Sequence, residues 1–217
     1  MNFEQARFNM IEQQIRPWNV LDDDVLRLLS LVKREDFVPL AHKALAFADM
    51  EIPLGHGQSM LAPRVEARLL QDAAVQKHEK VLEIGTGSGY MTALLAHRAQ
   101  SVISLEIDAE MVKMARANLQ SVGIHNAEVR PLDGSNVKVA EGPFDVIMLG
   151  GSVAEVPPSL RAQLKVGGRL LAVIGDEPSM CTTRITRNSE TDFTTQQLWD
   201  TVTPRLLNFA ETPQFSF

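Results

Sequence analysis

The chain has 217 residues, 45% hydrophobic and 22% charged, with a net charge of −6. That describes a globular protein with one sizeable core and argues against a nucleic-acid partner, whose phosphates favour a basic surface. No apolar run reaches the roughly 18 residues of a membrane span, and the lone Cys181 excludes an internal disulfide and a multi-cysteine metal site.

The opening residues, MNFEQARFNMIEQQ, lack a basic start followed by an apolar stretch. They do not read as a secretory signal, and a cytoplasmic location is expected. Residues 3–15 set Phe3, Ala6, Met10, Ile11 and Ile15 near one helical face, and Pro17 is predicted to end that helix. Asp22 and Asp23 offer caps for a second helix carrying Val25, Leu26, Leu29 and Val32. A short third helix is predicted over 40–48. Residues 51–63 hold Pro53, Gly55, Gly57 and Pro63 and read as a structured loop. Pro63 suits the first turn of a helix over 64–74.

From residue 80 the pattern alternates strand and helix. Strands are predicted at 80–84, 102–106, 127–131, 144–149 and 168–174. Helices are predicted at 89–98, at 109–122 with Asp108 as cap and Gly123 as stop, and at about 157–164. Residues 182–187 and 193–198 can pair as a hairpin. The expected fold is therefore α/β: a Rossmann-like, doubly wound, mostly parallel seven-stranded sheet with an antiparallel edge. An N-terminal helical extension with the 51–63 loop (residues 1–79) would pack on the core (80–217) as one compact unit.

The stretch from 81 to 90 reads VLEIGTGSGY. An apolar strand ends in Glu83 and runs into Gly85, Gly87 and Gly89, a turn that a ligand approaches at backbone distance. Such turns also occur as purely structural features. Glu106 ends the next strand; it is either an exposed strand-end acid or a carboxylate for two hydrogen bonds from vicinal ribose hydroxyls. Asp133-Gly134 follows the third strand; it is either a plain Asp-Gly turn or a carboxylate for the exocyclic amine of adenine. Glu83 is expected to be buried, which is costly without a partner; backbone amides or a ligand ammonium would serve.

VLEIGTGSGY, SLEID, PLDGS, PFDVIMLGG and LKVGGRLL, in that order, resemble the motif series of class I S-adenosyl-L-methionine-dependent methyltransferases. The resemblance implies that Gly85, Thr86, Gly87 and Gly89 hold the methionine moiety, Glu106 the ribose and Asp133 the adenine. Glu83, Ser88, Tyr90, Ile107, Gly134 and Gly150 complete the expected cofactor site. A narrower resemblance rests on KREDFVP at 33–39, IPLGHGQ at 52–58, Ala62-Pro63 and EVPPSL at 155–160. These are similar to protein-L-isoaspartate O-methyltransferases, which methylate the α-carboxylate of isoaspartyl residues in damaged proteins. The implied partner is a protein or peptide carboxylate acceptor, with a small-molecule acceptor as the alternative, in a monomer or homodimer. A cofactor-binding homologue without turnover is a further alternative. The family's catalytic serine aligns with Leu61, and its threonine two places earlier with Ser59. His56, Gln58 and Ser59 are then the loop's catalytic candidates: His56 as a base or a loop-shaping group, Gln58 and Ser59 as donors to an acceptor carboxylate or as groups that stabilise the loop. Ser152 is a candidate on the opposite rim, and no metal is expected.

Overall fold

A computed structural model describes residues 2–211. Helix α1 (Phe3–Met10) passes into a π-helical turn over Ile11–Ile15 and a 3-10 turn over Arg16–Trp18. Pro17 thus lies inside the last turn rather than beyond the helix, and Asn19, at φ 66°, ends it. Asp22 caps α2 (Asp23–Leu31), its carboxylate accepting from the amides of Asp24 and Val25. The expected third helix is a 3-10 segment, Leu40–Leu45.

Residues 51–63 are more ordered than a loop. β1 (Ile52–Gly55) and β2 (Gln58–Met60) pair as a hairpin. Its turn takes positive φ at Gly55, His56 and Gly57, a conformation that two glycines make accessible. Pro63 then opens α3 (Pro63–Ala73).

The core continues as β3 (Lys80–Ile84), α4 (Tyr90–Arg98), β4 (Ser101–Glu106), α5 (Ala109–Ser121), β5 (Ala127–Pro131), β6 (Phe144–Val153), α6 (Pro158–Arg161), β7 (Leu164–Asp176), β8 (Ser179–Arg187) and β9 (Phe193–Asp200). Two expectations change here. The helix after Pro157 is a single turn, because β7 already begins at Leu164. β6 runs on through Gly150-Gly151-Ser152 instead of stopping at Leu149.

The sheet order is β5-β4-β3-β6-β7-β8-β9. The first five strands are parallel and β8 and β9 are antiparallel additions at one edge. From β3 the chain winds outward to β5, then returns to β6 on β3's other side. Strand order reverses at that point, so a crevice opens beyond the carboxyl ends of β3 and β6. Val81 belongs to one apolar cluster and Leu82 and Ile84 to the other, so the sheet is covered on both faces. The N-terminal helices contribute Met10, Ile15, Leu29 and Phe37 to the same cluster as Val81, Val102 and Leu171.

Candidate active site

At the switch point the turn after β3 has φ 88° at Gly85, 53° at Gly87 and 85° at Gly89. Gly150, on β6, lies so close that a Cβ there would sit 2.4 Å from the Gly85 carbonyl oxygen. A Cβ on Gly134 would sit 2.4 Å from Ile84 Cγ2. Glycine at these positions is a steric requirement of the crevice.

Two carboxylates flank the turn. Glu106 is buried; one oxygen accepts from the Gly87 amide at 2.8 Å and the other from the Asp108 amide at 3.0 Å. It therefore braces the glycine turn from the end of β4, with lone pairs left for further donors. Glu83 is fully buried. Its Oε2 accepts from the Ser104 hydroxyl at 2.6 Å and from Thr92, while its Oε1 has no hydrogen-bond partner. Burial pushes the Glu83 carboxyl up to about 7, against the two hydroxyl bonds and with the nearby Glu106 charge adding to the rise. The hydroxyl of Thr86 bonds Ser104, which ties the turn to the same buried carboxylate. The unpartnered oxygen lies two residues before the glycine turn, fully buried and outside the lining of the crevice; a ligand ammonium that reached it would satisfy it.

Asp133 follows β5. Its Oδ1 accepts from the Ser135 amide at 2.9 Å and its Oδ2 from Asn208 Nδ2 at 2.7 Å. Burial alone would raise its pKa, but these bonds hold it below the ordinary value. Glu106, Ile107, Asp133 and Gly134 line one cavity together with Gln58 and Leu206.

A second cavity shares Gly85 with the first and continues along Thr86, Gly87 and Ser88 to Met148, Gly150, Ser59, Leu61 and Glu66. Its polar wall has a buried foundation. Arg34 is fully buried, and its guanidinium donates to Glu66, to the Leu61 carbonyl at 2.6 Å and to the Ala46 carbonyl at 3.0 Å. It also lies 5.3 Å from the centre of the Tyr90 ring. Burial lowers the Arg34 pKa to about 10, still far above neutrality. Next to it in sequence, Glu35 pairs with the buried Arg7 of α1. Two ion pairs thus link the helical extension to the main chain of residue 61.

The loop candidates separate. Ser59 lines the Thr86–Gly150 cavity, whereas Gln58 lines the Glu106–Asp133 cavity, on the opposite side of Gly85. The expectation that both address one acceptor carboxylate is corrected: successive residues of a strand point to opposite faces. His56 is exposed at the hairpin tip; its Nδ1 lies 2.6 Å from Asp108 Oδ2, and that hydrogen bond raises its pKa. It borders neither cavity. Its geometry matches loop shaping, clipping the hairpin to the cap of α5, rather than a base. Ser152 is fully buried and donates to the Thr203 carbonyl at 2.9 Å, so it is not on the rim. Among the described residues no cluster of metal-ligating side chains is present.

A family model for protein-L-isoaspartate(D-aspartate) O-methyltransferase matches residues 5–203. The chain belongs to this family. A protein-L-isoaspartate O-methyltransferase of Koribacter versatilis is 38% identical over 173 residues, 80% of this chain and 78% of the relative. Another, from Rhodopseudomonas palustris, is 37% identical over 200 residues, 92% of this chain and 82% of that one. In fold the chain is similar to a Plasmodium falciparum structure described as a protein-L-isoaspartate O-methyltransferase in complex with S-adenosyl-L-homocysteine. The TM-score is 0.79 at 22% identity, covering 94% of this chain and 97% of that one.

Membership of the protein-L-isoaspartate O-methyltransferase family accounts for the order of the glycine turn, Glu106 and Asp133 along the chain. Leu206 and Asn208 lie beyond the matched residues, and Arg34 falls within the KREDFVP stretch at 33–39 without its burial or its pairing with Glu66 being marked there. Arg34 and Glu66 are 32 positions apart, and nothing local marks either as buried.

Proposed function

We propose that this chain transfers a methyl group from S-adenosyl-L-methionine to a carboxylate on a protein or peptide, as its relatives' names describe, in the repair of isoaspartyl damage. The observation that carries the reading is one cavity lined by Gly85 of the glycine turn, Glu106 at the end of β4, and Asp133 and Gly134 after β5, with Glu83 Oε1 buried and unpartnered two residues before the turn. When bound, the cofactor supplies an electrophilic methyl on a positively charged sulfur. Glu106 would hold the ribose hydroxyls, Asp133 and Gly134 the adenine with Ile107 in the same cavity lining, and Glu83 the ammonium. Thr86, Gly87 and Ser88 offer main-chain groups at the turn leading into α4.

The acceptor side needs no base. A carboxylate, with a pKa near 4, is ionised at neutral pH. Met60, Leu61, Met91, Met148 and Leu149 give that cavity an apolar lining, which excludes water and strips the nucleophile of its shell. Arg34 neutralises Glu66 on the same wall, so an incoming carboxylate is not repelled. Ser59 is the hydroxyl left to orient it where the family's serine position is Leu61. In this reading residues 1–79 carry the acceptor wall and 80–217 hold the cofactor.

The test is methyl-ester formation on an isoaspartyl peptide beside its normal aspartyl twin. Esterification of the isoaspartyl form alone is expected. If neither peptide is esterified although the cofactor binds, the repair reading fails. The apolar Leu61 then favours the second reading, a less polar small-molecule acceptor.

A further inference from the structure

After β9 the chain turns back across the site. Ser152 fixes it there: the Ser152 amide donates to the Pro204 carbonyl at 2.8 Å, and the Leu206 amide donates to the Ser152 carbonyl at 2.9 Å. Phe209, buried in the apolar cluster under the sheet, fixes it at the other end. Between these anchors the segment crosses the glycine turn. Leu206 rests on Gly85, so close that a Cβ on Gly85 would sit 2.8 Å from Leu206 Cδ2. Asn208, at φ 64°, turns its amide onto Asp133 Oδ2. Leu206, Leu207 and Phe209 line the same cavity as Glu106 and Asp133.

The consequence is geometric. Gly85 borders two cavities, each of about 40 Å³. That is room for about three waters apiece. A nucleoside joined to an amino acid must run continuously through both, past Gly85. Leu206 roofs that passage, and Asn208 donates to Asp133 Oδ2, which keeps a lone pair for the adenine amine, so the strap can lie closed over a bound ligand.

Arg205 holds the crossing in place from outside both cavities. Its guanidinium donates to the Gly175 carbonyl at 2.9 Å and to Asp176 at 2.6 Å, at the end of β7, and its Nε lies 3.5 Å from Glu211.

We propose that residues 204–209 form a strap over the cofactor crevice, latched by Arg205 to the end of β7, and that adenosyl ligands enter and leave only when Leu206 and Asn208 lift from Gly85 and Asp133. The proposal rests on the cofactor reading above. Asn208 is a positioning residue in it, acting on ligand through Asp133.

A gate and a contact differ kinetically. Weakening a latch that is closed in both free and bound states speeds entry and exit together and leaves affinity nearly constant. Losing a contact speeds exit alone and weakens affinity by the same factor. The Arg205→Ala chain is compared with wild type, the exit rate measured by chasing radiolabelled S-adenosyl-L-methionine and the affinity by calorimetry. Asp176→Asn weakens the same latch from the other side by removing the carboxylate charge. For Arg205→Ala, both rates are expected to rise about tenfold, the scale of one or two charge-assisted hydrogen bonds, with Kd within about threefold. For Asn208→Ala, a smaller rise of both rates, about threefold, is expected because its bond is neutral-to-charged and exposed. Unchanged rates in Arg205→Ala and Asp176→Asn, or a faster exit matched by an equal loss of affinity, overturn the strap. No binding by wild type overturns the cofactor reading itself and the strap with it.

Discussion

The donor and acceptor halves of this site are assembled over different distances. On the donor side, Glu83, the glycine turn, Ser104 and Glu106 come from one β-α-β unit, and their contacts run between neighbouring parallel strands. On the acceptor side, the Leu61 carbonyl is held by Arg34, Arg34 by Glu66, and the neighbouring Glu35 by Arg7 on α1. The first half is a local consequence of strand order. The second exists only once α1, the Arg34-Glu35 turn and the 61–66 stretch of the extension have packed on one another. The donor half should therefore tolerate the loss of single contacts with its fold intact, whereas the acceptor half should fail as a folding unit.

The largest expected effect tests that contrast on the acceptor side. Arg34→Met leaves Glu66 buried and unpaired, so a loss of about 3–5 kcal/mol of stability is expected, the scale for breaking one partner of a buried ion pair. Denaturant unfolding measures it. Replacing Glu66 as well, in Arg34→Met/Glu66→Leu, should recover a good part of the loss, because the uncompensated charge is gone. Backbone amides of 57–62 should still exchange faster in the double variant, since the Leu61 carbonyl keeps no donor. A double variant as unstable as the single would mean that the pair does not act as a unit.

Glu106→Ala should do the reverse. It removes two charge-assisted bonds to main-chain amides and the proposed ribose contact, so S-adenosyl-L-homocysteine should bind about a hundredfold or more weakly, roughly 3 kcal/mol. Thermal stability should fall less than in Arg34→Met, because the two amides released are only part-buried and no buried charge is left unpaired. If unfolding is affected as strongly as by Arg34→Met, the contrast between the halves breaks down.

The same contrast explains what the sequence made legible. The five parallel strands, the terminal hairpin, the cap at Asp108 and the glycine turn all carry short-range signals: alternation of strand and helix, a capping carboxylate, positive-φ glycines. Glu83 was readable because a carboxylate within an apolar strand is anomalous on its own. The hairpin at 52–60 was not, since Pro53 and two glycines also spell a loop, and pairing decides between the two. The one-turn α6 was overestimated because the prolines mark a helix start and nothing marks its end. Arg34, Leu206 and Asn208 matter through partners in distant parts of the chain, and a charged or apolar side chain does not announce such a partner.

The smallest expected effect, and the sharpest test of the donor half, is a pH profile at Glu83. Its pKa in the folded chain is raised to about 7 from 4.5. The folded state therefore holds a proton that the unfolded chain has released. The Glu83 contribution to stability is fully present below about pH 4.5 and is lost as pH rises through 7. Binding runs the other way: only the ionised carboxylate attracts a ligand ammonium, so affinity for S-adenosyl-L-homocysteine should rise roughly five- to tenfold between pH 6 and 7.5, before the ligand's own α-amino group titrates. Glu83→Gln keeps the hydrogen-bonding shape but not the charge. It should bind more weakly above pH 7, with no rise across that window, and lose less stability than wild type between pH 5 and 8. Stability and affinity moving oppositely in wild type, and both flattening in the variant, would assign the proton to Glu83. A rise in affinity that survives in Glu83→Gln would instead place the ammonium on another group, and the donor half would lose the unpartnered Glu83 oxygen as a reason for choosing this cofactor.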